Sequence, residues 1–145
     1  MNLEIIDTPL SLDVYGFSGT AINKDYASKG LGLMNKMWQI VKSRNLKNKG
    51  INIWIYEENE KMFAGVEVDD TRVHETEMEH KTITIPKYAY YKHIGPYSLL
   101  RKAGADMSAE VKRRGLFACL PYVEIYGHWT EDESKLETEL VMCLK

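Results

Sequence analysis

The chain contains one stretch of sequence twice, 70 positions apart (107 − 37 = 70). Residues 37–56 align with residues 107–126 without a gap. The identical pairs are Met37/Met107, Val41/Val111, Lys42/Lys112, Arg44/Arg114, Leu46/Leu116, Ile55/Ile125 and Tyr56/Tyr126. An ungapped match of this kind indicates an internal duplication. Because the chain has only 145 residues, the two copies are expected to make one domain, or two small halves that share one core.

Hydrophobic spacing predicts the same order of elements in each half: strand, helix and then a hairpin. In the first half we expect strands at 3–6 and 14–20 around Pro9, a helix at 31–44, and strands at 51–56 and 62–68. In the second half we expect strands at 82–85 and 88–94 around Pro86, a helix from Pro96 to about 114, and strands at 121–126 and 137–144. The acidic segment of about 69–80 reads as a linker between a first half of about 1–70 and a second half of about 81–145. The predicted fold is α+β, with duplicated β-α-β-β units, pseudo-twofold symmetry, an antiparallel sheet, two main helices and a central cleft.

Composition excludes several classes of protein. The net charge of −2 leaves no basic excess for a phosphate backbone, so direct DNA binding is not expected. No apolar run is long enough for a membrane span, and the absence of a signal-peptide pattern predicts a cytoplasmic protein. Cys119 and Cys143 form no C-x-x-C motif and are expected to be reduced. No sequence motif predicts a metal site or a cofactor.

One difference between the copies suggests where a site lies. Ile53-Trp54-Ile55-Tyr56 aligns with Val123-Glu124-Ile125-Tyr126, so a carboxylate replaces an indole within an apolar strand. Burying that charge is costly, which calls for a functional explanation. Strand alternation places the aliphatic residues on one face, which we expect beneath the helices. The other faces carry Trp54, Tyr56, Tyr122, Glu124 and Tyr126.

If those faces converge, they form an aromatic cleft with one acid, which suits a lipophilic cation. The alternative is an exposed strand face, on which Tyr and Glu are ordinary residues. His74 and His80, among the glutamates of the acidic segment, allow either a metal cluster or a solvated linker, and we favour the linker.

Several segments, taken in order, resemble one superfamily. Tyr88-Ala89-Tyr90-Tyr91-Lys92-His93-Ile94-Gly95-Pro96-Tyr97 is similar to the strand-to-helix segment of the GyrI-like, or AraC-type, effector-binding domains. Pro121-Tyr122-Val123-Glu124-Ile125-Tyr126 resembles their acid-bearing strand. Met37-Trp38, Ile53-Trp54-Ile55-Tyr56 and Phe63-Ala64-Gly65-Val66-Glu67-Val68 resemble a stand-alone branch related to integron-associated effector-binding proteins.

The resemblance implies a small-molecule binding protein in which Glu124 contacts cationic amphipathic drugs or dyes. Tyr91 joins the expected ligand contacts, with the choice between Tyr90 and Tyr91 left open. His93, which precedes Gly95-Pro96-Tyr97, is a further candidate ligand contact; the alternative, which is the commoner role of such a histidine, is to pack or to cap the entry to the helix. Many relatives carry a fused DNA-binding helix-turn-helix, for which a sensor fold of 145 residues leaves no room. The expected role is therefore drug sensing or sequestration, or binding to a protein partner.

Two alternatives differ in class from this binding role. Some GyrI-like relatives resemble hydrolases of reactive, DNA-alkylating natural products. In that case Glu124 would act as general base, with Tyr126 or Tyr91 as proton donor. The second alternative is a protein-interaction module, such as a modulator of DNA gyrase.

Overall fold

A computed structural model describes residues 1–145, and it confirms the α+β fold class. Eight strands and two main helices follow one another along the chain: β1 (Glu4–Ile6), β2 (Leu10–Thr20), α1 (Tyr26–Ser43), β3 (Ile53–Tyr56), β4 (Lys61–Val66), β5 (Glu79–Ile85), β6 (Tyr88–Ile94), α2 (Leu100–Arg113), β7 (Ala118–Tyr126) and β8 (Glu137–Leu144). The chain divides into two compact units. We call Ser11–Ile83 the Trp54 unit, and Met1–Leu10 with Thr84–Lys145 the Glu124 unit.

Each unit places its strands in the same order. In the Trp54 unit the order is β5-β2-β4-β3, and β4 pairs antiparallel with both β2 and β3. In the Glu124 unit the order is β1-β6-β8-β7, and every pairing is antiparallel. Each unit is thus a β-α-β-β motif with one further strand at its edge. These edge strands are β5 in the Trp54 unit and β1 in the Glu124 unit. In the sequence, β5 directly precedes β6, the first strand of the Glu124 unit's motif, and β1 directly precedes β2, the first strand of the Trp54 unit's motif.

The duplication extends to the backbone hydrogen bonds that end the helices. The N–H of Arg44 donates to the Ile40 carbonyl at 3.0 Å, and the N–H of Arg114 donates to the Glu110 carbonyl at 3.0 Å. The residue that follows has a positive φ in both units, 50° at Asn45 and 74° at Gly115. Positive φ suits glycine, and asparagine tolerates it, so both helices end with a left-handed residue.

Helix α1 begins at Tyr26, five residues before the predicted start at 31. The Asp25 side chain accepts a hydrogen bond from the Ser28 N–H at 3.2 Å, which caps the first turn. Gly30 and Gly32 are poor helix formers, so helix propensity did not predict that α1 extends back to Tyr26.

The helices pack on the opposite sheet faces from those we expected. Side chains of directly paired residues point to the same face of a sheet. Trp54 pairs with Ala64, and Ala64 pairs with Phe17. Phe17 packs in one cluster with Met37 of α1, so α1 covers the Trp54 face rather than the aliphatic face.

The Glu124 unit shows the same reversal. Leu140 and Met142 of β8 pack with Met107 of α2, and Tyr122 and Tyr126 pack against the same cluster. The side chains first assigned to a separate cleft face therefore share a face with the helix of their own unit.

Residues 69–80, predicted as a linker, contain a 3₁₀ turn at Thr71–Glu75 and the first two residues of β5. Val73 and Met78 of this segment are buried in the cluster that contains Met37. These two apolar side chains attach the segment to the core of the Trp54 unit.

The expectation of two reduced cysteines is wrong for this structure. Cys119 and Cys143 form a disulfide whose Cα atoms are 5.0 Å apart. Ala118 pairs with Leu144 across β7 and β8, which brings the following and preceding cysteines side by side. Their separation of 24 residues gave no sign of this strand pairing.

No helix of this structure is both long and apolar enough to cross a membrane.

Candidate functional site

The face of the Glu124 unit that carries α2 collects five of the predicted site residues. Strand pairing arranges this face in three rows across β7, β8 and β6. The rows are Tyr122–Met142–Ala89, Glu124–Leu140–Tyr91 and Tyr126–Thr138–His93. Tyr91 therefore shares the face of Glu124, whereas Tyr90 pairs with Val141 on the opposite face. This pairing answers the question, left open by the sequence, of which tyrosine shares the acid's face.

Glu124 is a buried carboxylate, with 7% of its surface exposed. The Tyr126 hydroxyl donates a hydrogen bond to Glu124 Oε1 at 2.7 Å. A hydrogen bond to an ionised acceptor is shorter and stronger than one between neutral groups. Tyr126 thus compensates part of the cost of burying the acid and fixes the orientation of its side chain.

Tyr97 holds the ring of Tyr126 in turn. The two ring centroids are 5.5 Å apart and the ring planes meet at 84°, an edge-to-face contact. Tyr97 lies in a 3₁₀ turn, Tyr97–Leu99, directly before α2. Burial of part of its surface raises the pKa of Tyr97. The helix predicted from Pro96 would include Tyr97, and the sequence did not predict this contact with Tyr126.

Tyr122 occupies the row on the other side of Glu124. Burial is the main cause that raises the pKa of Tyr122, and the charge of Glu124 adds to it. Its hydroxyl oxygen lies 3.3 Å from the point that a Cβ on Gly104 of α2 would occupy. A glycine at this position therefore leaves room for the Tyr122 hydroxyl beneath α2.

His93 is 8% exposed and ends the row that starts at Tyr126. Its Nε2 atom lies 3.2 Å from the carbonyl oxygen of Pro96. Because a carbonyl oxygen only accepts, Nε2 must carry the proton in this contact.

The other two predicted residues, Trp54 and Tyr56, lie on the α1 face of the Trp54 unit. The Trp54 ring packs directly on Gly30, where a Cβ would overlap its six-membered ring. Tyr56 makes an edge-to-face contact with Tyr26, with ring centroids 5.3 Å apart and planes at 72°. The part of Trp54 and Tyr56 in ligand binding stays a prediction.

The histidines of the acidic segment pack against an aromatic ring. His80 stacks on Tyr15 with centroids 4.4 Å apart and also contacts Asp13, while His74 meets the edge of the same ring at 5.9 Å. No group of three or more His, Cys, Asp or Glu side chains is arranged to hold a metal ion.

Similarity to known proteins is found at the level of structure. No family model matches the sequence, and no curated protein matches it. The C-terminal domain of EcmrR superposes with a TM-score of 0.77 at 19% identity, covering 100% of this chain and 99% of that one. SAV2435 bound to tetraphenylphosphonium superposes with a TM-score of 0.65 at 18% identity, covering 100% and 94%.

An integron cassette protein of Vibrio cholerae has the same fold, with a TM-score of 0.53, 14% identity, and coverage of 99% of this chain and 95% of that one. The chain therefore shares the fold of these three proteins, in agreement with the fold that the GyrI-like resemblance implied.

Proposed function

We propose that this chain binds lipophilic cations on the α2 face of the Glu124 unit, with Glu124 as the counter-charge. The observation that supports this proposal most directly is the buried Glu124 carboxylate, which is hydrogen-bonded to Tyr126. A buried carboxylate is retained at a cost, and a bound cation would offset that cost.

The surrounding side chains suit the apolar body of such a ligand. Tyr91, Tyr122 and Tyr126 share the face of the acid. Aromatic rings bury apolar surface and present a negative π face to a cation. SAV2435, a structural neighbour, binds tetraphenylphosphonium, a cation with four phenyl rings, which adds support for this ligand class.

The test compares tetraphenylphosphonium with triphenylphosphine oxide, a neutral molecule of related shape, by calorimetric titration. Glu124→Gln keeps the shape and removes the charge. It should weaken binding of the cation by about 2–5 kcal/mol. Binding of the neutral molecule should change far less, because the rings still cover its apolar surface.

Glu139→Gln is the matched control. Glu139 pairs with Ile125 on the opposite face of the same sheet, so removing its charge should leave the affinity for both molecules unchanged. The proposal fails if Glu124→Gln binds tetraphenylphosphonium as tightly as the native chain does. A gain of one water in the mass of an electrophilic substrate would instead support the hydrolase alternative.

A further inference from the structure

We propose that His93 is a positioning residue for the Glu124 carboxylate, acting through Pro96, Tyr97 and Tyr126. This inference rests on the proposed function for its biological meaning. It concerns a residue for which the sequence left two roles open, a ligand contact and a structural role at the entry to the helix.

A hydrogen bond connects His93 to the turn that precedes α2. His93 Nε2 donates to the Pro96 carbonyl oxygen at 3.2 Å, and the N–H of Leu99 donates to the same oxygen at 3.1 Å. The N–H of Gly95 donates to the Leu136 carbonyl at 2.8 Å, which fixes the start of the turn next to β8. The buried imidazole therefore holds the turn from the core side.

Two further contacts connect this turn to the Glu124 carboxylate. The turn carries Tyr97, whose ring meets Tyr126 at 5.5 Å, and the Tyr126 hydroxyl bonds Glu124 Oε1 at 2.7 Å. If the His93 bond is lost, the turn is held by fewer contacts, and Tyr97 fixes the Tyr126 ring less firmly. The carboxylate then samples more orientations, which lowers its affinity for a cation.

Comparison with the Trp54 unit supports a role for His93 in positioning the acid rather than in stabilising the fold. It has the same tyrosine pair, Tyr26 and Tyr56, at nearly the same distance and angle. By strand pairing, however, Gly19 takes the position of His93 and Trp54 takes the position of Glu124. The aromatic pair therefore forms without an imidazole, and the imidazole occurs in the unit that holds the carboxylate.

The test uses two substitutions of His93. His93→Leu removes the donor while keeping an apolar side chain, and His93→Gln keeps an N–H donor. His93→Leu should bind tetraphenylphosphonium about three- to tenfold more weakly, the effect of losing one orienting hydrogen bond. Triphenylphosphine oxide should be affected less than about twofold, and His93→Gln should restore much of the selectivity for the cation. His128→Leu, at an exposed histidine, is the control and should change neither affinity.

A second substitution that removes the hydrogen bond between Tyr126 and Glu124 gives the most decisive test. In a Tyr126→Phe background His93→Leu should have almost no further effect, because both changes act on one path. If the two losses instead multiply, or if His93→Leu weakens both molecules equally, His93 is only structural and the inference is wrong.

A measurement without ligand separates this inference from the proposed function. In protein labelled with ¹³C at the glutamate carboxyl groups, Glu124→Gln identifies the Glu124 resonance. That resonance should shift in His93→Leu and stay near its native position in His93→Gln. An unmoved resonance in His93→Leu overturns the inference even where the cation binds. A moved resonance supports it even where Glu124→Gln leaves cation affinity unchanged and so ends the proposed function.

Discussion

The two units share one scaffold and differ in the row of side chains at its centre. In the Trp54 unit the central row is Trp54–Ala64–Phe17, and in the Glu124 unit it is Glu124–Leu140–Tyr91. The adjacent row changes in the same sense, from Tyr56–Met62–Gly19 to Tyr126–Thr138–His93. Polar groups thus appear in one copy at positions that are apolar or glycine in the other.

What the copies have in common marks the scaffold. The tyrosine pairs, the buried methionines Met37 and Met107, and the hydrogen bonds at the helix ends occur in both units. Glu124 and His93 have no counterpart of the same type in the Trp54 unit, and Tyr91 adds a hydroxyl to the aromatic ring that Phe17 supplies there. A duplicated protein thus provides an internal comparison: features shared by both copies mark the common scaffold, and the buried acid and imidazole of one copy are the differences to which we assign a function.

The largest expected effect comes from placing the acid in the wrong unit. Trp54→Glu would put a carboxylate beneath α1, in the same row as the apolar side chains of Ala64 and Phe17. The chain would lose the packing of the indole, which costs about 3–5 kcal/mol for a buried tryptophan, and would also bury a charge. Urea unfolding at neutral pH should therefore show a loss of at least about 3 kcal/mol.

Trp129→Glu provides the control, because Trp129 is 71% exposed. Its effect on unfolding should stay within about 0.5 kcal/mol. If Trp54→Glu unfolds at nearly the native urea concentration, the Trp54 unit accommodates an acid and the contrast between the units loses its energetic basis.

A smaller effect is expected where the Trp54 ring meets α1. A Cβ on Gly30 would overlap the ring, whereas a Cβ on Gly32 would meet nothing within 4 Å. Gly30→Ala should destabilise the chain by about 1–2 kcal/mol, since overpacking outweighs the gain in helix propensity. Gly32→Ala should stabilise it by up to about 1 kcal/mol, because only the propensity changes.

Both glycines lie within the same helix, so thermal unfolding of the two variants compares the same chemical change in two surroundings. Equal and stabilising shifts in both variants would show that the Trp54 ring moves freely away from α1. The packing of the indole against α1 would then not explain why position 30 is a glycine.

The sequence was sufficient to predict the architecture, because both copies carry the same apolar spacing. Met37/Met107 and Val41/Val111, identical between the copies, lie in the two helices, and all four side chains are buried. The exception to the repeat, Glu124 in place of Trp54, identified the acid that the structure places beside Tyr126.

The remaining features depend on contacts that strand alternation does not determine. Alternation separates Trp54 from Ile55 but does not say which face receives the helix, and our choice was wrong. The disulfide depends on the register of β7 and β8, and the contact of Tyr97 with Tyr126 depends on the path of a turn. Such features require residues distant in sequence to be placed together, which no local pattern encodes.

The smallest expected effect concerns an ion-pair cluster that only one copy contains. Near the end of α2, Glu110 Oε1 accepts from Arg113 Nη2 at 2.5 Å and from Arg114 Nε at 2.9 Å. The hydrogen bonds from Arg113, and then those from Arg114, lower the pKa of Glu110 to about 2. The aligned residue of the first copy is Ile40, which cannot make such pairs (110 − 70 = 40).

The pH dependence of stability tests this last difference between the copies. Because the folded chain lowers the pKa of Glu110, the unfolded chain binds the proton first as the pH falls. The stabilisation from Glu110 is therefore complete above about pH 4.5 and is lost as the pH falls towards about 2. Glu110→Gln should show a shallower loss of melting temperature across this range, and the exposed Glu131→Gln should keep the native slope. The effect should be small and should fade in high salt, because exposed ion pairs are screened by water and ions. An unchanged slope in Glu110→Gln would mean that the cluster adds no stability to α2 in solution, and that this difference between the copies has no energetic consequence.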